Sequence, residues 1–145
     1  FSDTENRYFQ IGGMVKHLAS GLWVHGTFGK EFVDANGAAG FVHDTRGWYV
    51  KAGWTGKLSA LGNTHFYGEY GRNDDGFDNL LTLEGAQVLS SQADRYGLGV
   101  VQEIDAAAMS LWAKWRHHEY DATTAAGNFS AEDVDMFLAG AVIFY

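Results

Sequence analysis

Strict alternation of apolar and polar side chains is the feature that most restricts what this chain can fold into. The clearest example lies between Trp48 and Lys57. Successive side chains of a β-strand point to opposite faces, so this segment predicts a strand with one apolar and one polar face. The apolar set is Trp48, Val50, Ala52 and Trp54, and the polar set is Tyr49, Lys51, Thr55 and Lys57.

The same alternation recurs along the whole sequence and predicts seven strands. Strands of roughly 9 to 13 residues are long enough to cross a bilayer when tilted. The seven alternating segments cover about 7–17, 21–30, 48–57, 65–70, 95–103, 109–118 and 137–145.

Two stretches leave more than one interpretation open. Ala106 to Trp115 is rich in Ala and could form a short amphipathic helix on propensity alone. A strand is favoured there because Lys114, Arg116 and His118 fall on one face at period two. For 79–90, a short helix and an extension of a strand remain alternatives.

The connections between the predicted strands alternate in length. Three are short, lying around Ala19, at 60–63 and around Asp105, whereas those at 31–47, 72–94 and 119–135 are long and polar. Outer-membrane barrels have short periplasmic turns and long extracellular loops, which is the same pattern. A soluble sandwich gives no reason for such regular sorting of its loops.

Composition restricts the class of protein further. The 145 residues suffice for one domain, and 19% are charged, 15% are aromatic and 19 are Gly. No run reaches the roughly 18 to 20 apolar residues of a spanning helix, so any membrane span must be β. In lipid, only a closed barrel satisfies the backbone groups of strands. We therefore predict an all-β, antiparallel transmembrane β-barrel segment that forms a single domain over 1–145.

Several classes of function are disfavoured by what the chain lacks. Without Cys there is no disulfide framework and no thiolate metal site. The net charge of −8 argues against a nucleic-acid surface. No nucleophile-elbow motif is present, so an outer-membrane hydrolase has little support. We expect no enzymatic activity, no cofactor and no metal. The chain begins at Phe1 without Met or signal peptide, which indicates a processed or excised piece.

The last ten residues, MFLAGAVIFY, place apolar side chains at every second position and end on an aromatic residue. This segment resembles the terminal β-signal by which the barrel-assembly machinery recognises bacterial outer-membrane proteins. The resemblance assigns the assembly signal to Phe137, Ala139, Ala141, Ile143 and Tyr145.

Two further segments, GNTHFYGEYGR and YGLGVVQEIDAAAMSLWAKWRHHEYD, resemble the closing hairpins of porins, of an alphaproteobacterial branch. The likeness covers about two thirds of the chain. It implies a homotrimeric Gram-negative porin of about sixteen strands, of which this chain would supply the last seven. Its constriction loop would lie upstream. If Tyr145 ends in the periplasm, Phe1 lies outside the cell, so at least one upstream strand is expected.

Charged side chains on the predicted strands concentrate on the polar face. They form either a basic wall that favours anions or a set of groups that simply wet a water-filled lumen. The predicted pore-lining residues are Lys16, Lys51, Lys57, Glu69, Arg95, Glu103, Lys114 and Arg116.

Aromatic residues fall near the predicted strand ends and are interpreted as interfacial girdles, with ordinary sheet packing as the alternative. The predicted girdle consists of Tyr8, Phe28, Trp48, Tyr70, Tyr96 and Trp115 near outer ends, and Trp54 and Tyr145 near inner ends.

Two polar clusters invite a metal-site interpretation. Asp74, Asp75 and Asp78 could hold Ca²⁺ or bridge lipopolysaccharide, but they lack EF-hand spacing, and a solvated loop is favoured. The run 116–119 carries Arg, two His and Glu. Adjacent residues of a strand point to opposite faces, so these four side chains cannot converge.

The leading functional hypothesis is an outer-membrane porin for passive diffusion of small hydrophilic solutes and ions. Its partners would be outer-membrane lipid, lipopolysaccharide and the barrel-assembly machinery. One alternative is a structural or adhesive barrel with a plugged lumen, and another is a soluble antiparallel sandwich that binds a ligand.

Overall fold

The computed structural model describes residues 4–35, 44–76, 82–83 and 86–144, which form an all-β fold. Within these ranges, one 3₁₀ turn is the only helical element, and no helix is long and apolar enough to span a membrane. The strands are β1 (Thr4–Lys16), β2 (Leu22–Ala35), β3 (Thr45–Ser59), β4 (Gly62–Asp74), β5 (Thr82–Leu83), β6 (Ala86–Ile104), β7 (Met109–Thr124), β8 (Gly127–Ser130) and β9 (Val134–Ile143); the 3₁₀ turn is Asp105–Ala107.

These strands form one antiparallel sheet in which chain neighbours are also spatial neighbours. The order is β1-β2-β3-β4-β6-β7, and the short β5 pairs with the start of β6. Strands β8 and β9 lie one after the other along the free edge of β7, pairing with 121–124 and 109–118. Among the described strands the sheet therefore has seven positions and is not closed on itself.

All seven predicted strands are present in the predicted order, and the all-β antiparallel prediction is confirmed. The described part of Ala106 to Trp115 contains no α-helix: after a 3₁₀ turn, β7 begins at Met109. Within 79–90, residues 82–83 and 86–90 are strand, and the remaining positions lie outside the described residues.

The expected boundaries of the long links were wrong. Pairing continues well past the apolar segments, so β6 begins at Ala86, β7 ends at Thr124, and β8 lies inside the link expected at 119–135. Backbone ladders do not require apolar side chains, and cross-strand charge pairs stabilise such polar extensions. Arg46 and Asp74, directly opposite in the register, form one such pair at 2.7 Å.

The connections between the seven predicted strands are sorted by length, as predicted, when β8 is counted as part of the last one. Short turns at 17–21, 60–61 and 105–108 lie at one end of the sheet, which we call the short-turn end. At the other, the long-link end, β2 and β4 end before the longer connections 36–44 and 75–85, whereas β7 turns into β8 through only residues 125–126. The first turn closes with a hydrogen bond from the Gly21 amide to the His17 carbonyl at 2.9 Å. Gly21 adopts φ +75, a left-handed conformation that favours glycine.

The register assigns every strand residue to one of two faces, because residues directly opposite one another share a face. We call the face that carries Val50 the apolar face and the face that carries Lys51 the polar face. Val50 lies opposite Gly26 and Tyr70, and Lys51 lies opposite His25 and Glu69. The alternation predicted for 48–55 is therefore the one observed.

A conventional hydrophobic core is almost absent from the described residues. Of the residues whose burial the structure describes, only the apolar residues Val88 and Ala122 are buried, and both lie near the long-link end. Many large apolar side chains are instead exposed on the apolar face, including Ile11, Val15, Leu22, Val24, Phe28, Trp48, Val50, Phe66, Leu98, Leu111 and Phe137. The described strands form a single layer, and no other described element covers that face.

The register can be tested with paired cysteines, since the natural chain has none. Val24 and Ala52 are directly opposite, and opposed residues have Cα atoms about 4.5 to 5.5 Å apart, within disulfide range. We expect Val24→Cys with Ala52→Cys to cross-link on oxidation and lose both free thiols. Val24→Cys with Lys51→Cys, on opposite faces, should retain them in a thiol titration. Cross-linking of the second pair alone would indicate a register shifted by one residue.

Candidate functional site

The centre of the polar face is a row of four residues that crosses four neighbouring strands. Lys51 of β3 lies opposite Glu69 of β4, which lies opposite Gly97 of β6, which lies opposite Arg116 of β7. Strand spacing is about 4.8 Å, so Lys51 and Arg116 are about 14 Å apart along the row. Glu69 lies between the two cations.

Gly97 allows Arg116 to reach Glu69 across the intervening strand. A Cβ atom at position 97 would lie 3.1 Å from Cγ of Arg116 and would also clash with the Trp115 carbonyl oxygen. With no side chain there, the Arg116 Nε–H donates to Glu69 Oε1, and the Tyr49 hydroxyl donates to Oε2 at 2.6 Å. Both carboxylate oxygens of Glu69 thus accept a hydrogen bond, as the burial of this residue, which is only 7% exposed, requires.

Three other cations of the polar face contact aromatic rings. Lys51 Nζ lies 3.5 Å from the ring centroid of Tyr67, Arg95 lies 5.2 Å from that of Tyr49, and Lys114 lies 5.2 Å from that of Trp112. Among the described residues, none of these three cations has a carboxylate within 4 Å. Their positive charges are therefore not neutralised by direct ion pairs, whereas that of Arg116 is.

Glycines let large side chains lie flat along the polar face. A Cβ at Gly99 would collide with the ring of Tyr67, its partner on β4, and a Cβ at Gly53 would lie 2.6 Å from Cζ2 of Trp23. Each aromatic ring therefore covers the glycine on the adjacent strand.

A second polar group lies nearer the short-turn end of the same face. Trp23 Nε1 donates to Thr55 Oγ1 at 3.1 Å, and Thr55 Oγ1 contacts His65 Nδ1 at 2.9 Å. His65 Nε2 lies 3.0 Å from Glu103, whose other oxygen accepts from Asn63 at 2.8 Å. These hydrogen bonds link β2, β3, β4 and β6, and they leave Glu103 paired.

The predicted pore-lining residues separate into a central and a peripheral set. Lys51, Glu69, Arg95, Lys114 and Arg116 lie together on the polar face, and Glu103 lies on that face closer to the short turns. Lys16 ends β1 opposite Trp23 and is exposed. Lys57 is exposed beside the register irregularity between Gly56 and Ser59. The structure therefore brings together only the central five.

Four of the predicted girdle residues lie in two adjacent rows of the apolar face. Phe28 is opposite Trp48, and Tyr70 is opposite Tyr96. The Trp48 and Tyr70 rings contact each other with centroids 5.1 Å apart. These residues form a nearly continuous aromatic strip toward the long-link end.

The other girdle residues lie elsewhere. Trp115 lies one row closer to the short-turn end, and Trp54 stacks on Phe66 one row further. Tyr8 lies opposite Glu31 on the polar face, so it does not join the strip. Tyr145 lies outside the described residues. Of the predicted assembly signal, Phe137, Ala139, Ala141 and Ile143 share the apolar face of β9.

Sequence reasoning missed a band of ion pairs on the apolar face that begins in the row of Trp48, because it assigned Arg72, Asp94 and Asp44 to links. Arg72 donates to both oxygens of Asp94 at 2.8 and 3.0 Å. Lys30 pairs with Asp44 at 3.0 Å, and its hydrogen bond is the main reason why the pKa of Asp44 lies below its ordinary value. Continuing the period-two pattern beyond the apolar segments would have found this band.

Sequence reasoning also missed an acidic cluster around His117. It correctly separated this residue from Arg116 and His118, which lie on the polar face. His117 instead meets Glu119 of its own strand, Asp135 of β9 and Asp133 of the preceding connection. The sequence did contain a signal for this cluster. His117 and Glu119 are two residues apart and so share a face of the strand, and two acidic residues, Asp133 and Asp135, show the same spacing.

No protein-family model, curated protein sequence or solved structure matches the chain. A function therefore has to follow from the chemistry of the two faces.

Filling the space above Gly97 should disrupt the central row. We expect Gly97→Val to displace Arg116 from Glu69 and to lower the free energy of unfolding by about 1 to 3 kcal/mol through overpacking. Gly13→Val is the matched control, because nothing lies within 4 Å of a Cβ at that position. Urea unfolding of both variants would measure the difference. Equal stability of the two variants would contradict the role given to Gly97.

Proposed function

We propose that this chain is part of an outer-membrane porin, in which the polar face lines a water-filled channel and the apolar face contacts lipid. Such a channel would allow passive diffusion of small hydrophilic solutes and ions. The observation that supports this best is the pairing of an exposed apolar face with a charged face on opposite sides of one sheet.

The apolar face supports a lipid environment because its exposed side chains are large and contiguous. From Val15 on β1 to Phe137 on β9, directly opposed residues form one unbroken row that also contains Val24, Ala52, Gly68, Leu98 and Trp115. Apolar patches of this extent on soluble proteins mark interaction surfaces. Here the patch belongs to strands whose backbone groups are paired along the sheet, as lipid requires.

The limits of the apolar region also support this placement. Toward the long-link end, Tyr70 on β4 and Tyr96 on β6 come first, and the charged residues Arg72 and Asp94, which share a row with Trp48, follow them. Trp and Tyr are enriched at the boundaries of membranes, where their rings have one apolar and one wet side. The ion pairs beyond them would lie in the headgroup region or in water.

The polar face favours anions in this proposal, since three of its cations have no ion-pair partner in the part of the chain that the structure describes. Lys51, Arg95 and Lys114 surround an acid, Glu69, that Arg116 already neutralises. Uncompensated positive charge on a pore wall attracts anions. The alternative is that these groups only hydrate the lumen, and the two interpretations predict different ion selectivity.

The same proposal covers location and assembly. The porin would reside in the outer membrane of a Gram-negative bacterium, as a homotrimer of larger barrels of about sixteen strands. Its apolar face and ion-paired rim would contact lipid and lipopolysaccharide. The alternating apolar residues of β9 would serve as the signal read by the barrel-assembly machinery.

Removing the unpaired lysines should change ion selectivity. In the full-length protein reconstituted in a planar bilayer, we expect Lys51→Gln with Lys114→Gln to move the zero-current potential in a KCl gradient toward cation preference. The shift should shrink at high salt, because screening lengths fall below about 8 Å above physiological ionic strength. Arg116 is left in place so that Glu69 stays neutralised.

The matched control removes two cations from the other face. Lys30 and Arg46 lie opposite each other on the apolar face, and each has a carboxylate partner. Lys30→Gln with Arg46→Gln should therefore give a clearly smaller shift. An unchanged potential in the lysine variant at low salt, with conductance retained, would favour simple hydration of the lumen. A complete lack of conductance in the natural protein would contradict the porin and favour a plugged barrel.

A further inference from the structure

Four side chains that can bind metal lie together at the long-link end of the apolar face. His117 and Glu119 are two residues apart on β7 and share this face, Asp135 of β9 lies opposite His117, and Asp133 lies in the connection before β9. Glu119 and Asp133 are exposed to solvent over about half of their side chains, at 42% and 57%. The group is thus accessible to an ion from outside.

The geometry around His117 Nε2 is close to that of a metal centre. This atom lies 3.4 Å from Glu119 Oε1 and 3.7 Å from Asp133 Oδ2, and the three ligand atoms lie within 4.8 Å of one another. In tetrahedral zinc sites, with bonds of about 2.0 to 2.2 Å, neighbouring ligand atoms are roughly 3.3 Å apart. An ion could therefore sit between these atoms with only small movements of exposed side chains.

The imidazole ring is held in the orientation that such a site needs. Its Nδ1 lies 3.0 Å from Asp135 Oδ1, and that same oxygen accepts a hydrogen bond from Trp115 Nε1 at 2.8 Å. The ring also packs against Tyr96, with centroids 4.8 Å apart. A carboxylate on one ring nitrogen fixes the tautomer and directs the other nitrogen toward the metal, as in known carboxylate–histidine–zinc arrangements.

Glu119 is positioned by a contact outside the cluster. The Tyr96 hydroxyl donates to Glu119 Oε1 at 3.1 Å, so one tyrosine contacts both the imidazole and a carboxylate ligand. The ligand set on β7 is thus supported by residues of β6 and β9. His117 and Glu119 lie in β7, whereas Asp133 lies in the connection between β8 and β9.

We propose that His117, Glu119 and Asp133 form a binding site for a divalent transition metal of the zinc class, with Asp135 as the group that orients the imidazole. One nitrogen and two carboxylate oxygens suit Zn²⁺, whereas Ca²⁺ and Mg²⁺ prefer oxygen ligands alone. Three protein ligands leave one coordination position for water or for an external group. This site lies on the opposite face from the channel wall and does not depend on the proposed function.

Zinc binding to the full-length protein in detergent tests the proposal, with zinc chloride as the probe and a chromogenic chelator as competitor. We expect His117→Ala to weaken binding at this site by at least tenfold. Asp135→Asn should weaken it by roughly tenfold or more, the usual effect of losing an orienting partner. The matched control is His118→Ala, the neighbouring histidine on the polar face, which should bind zinc like the natural protein.

Two further measurements keep the result interpretable. Asp133→Asn changes an exposed residue outside the strands, so weaker zinc binding in this variant with unchanged β-rich circular dichroism would support the site independently of folding. Acidification should also release the metal, because protons compete for the imidazole and carboxylates. Zinc affinity that is equal in the natural protein, His117→Ala and Asp133→Asn would overturn the proposal, as would a natural protein that binds no zinc.

Discussion

The described residues form a single antiparallel sheet with no second layer over either face, and this constraint shapes every strand. Each strand must place side chains suited to one environment on one side and to another environment on the other, residue by residue. Among the described residues, the apolar face leaves Phe28, Val50, Leu98 and others exposed, while the polar face buries Glu69 under charged and aromatic neighbours. A sheet with water on both sides would instead bury its apolar side chains and expose its charged ones. The function therefore depends on what surrounds the apolar face.

The arrangement of the polar face depends on its glycines, which lack side chains and leave space for side chains of adjacent strands. Arg116 reaches Glu69 because Gly97 has no side chain, and the Tyr67 ring lies across Gly99. A buried carboxylate is tolerated only when it is paired and hydrogen-bonded, and Arg116 and Tyr49 meet that requirement. Lys51 and Arg95 lie above aromatic rings rather than against acids. Because Arg116 occupies Glu69, these cations have no acidic partner among the described residues.

Period-two alternation was enough to predict the seven strands, the sorting of the connections between them and the face of Lys51, because each of these follows from local sequence. It could not predict which side chains meet across the sheet. The contact between Glu69 and Arg116 joins residues 47 positions apart and depends on the register of β6 between them. Strand ends were misjudged because the strands continue through polar positions such as Arg46 and Asp74, which form an ion pair across the sheet. The cluster at His117 was missed because Asp133 and Asp135 reach it from another element.

The central claim is that the two faces of the sheet meet lipid and water, and labelling along β3 measures this most directly. The chain has no Cys, so single cysteines at 48–55 can each carry an environment-sensitive fluorophore in the protein reconstituted in vesicles. The account predicts that positions 48, 50, 52 and 54 are quenched by a quencher attached to lipid chains and protected from aqueous iodide. Positions 49, 51, 53 and 55 should show the reverse. If iodide reached the even-numbered and odd-numbered positions equally, the placement of the two faces in lipid and in water would be contradicted.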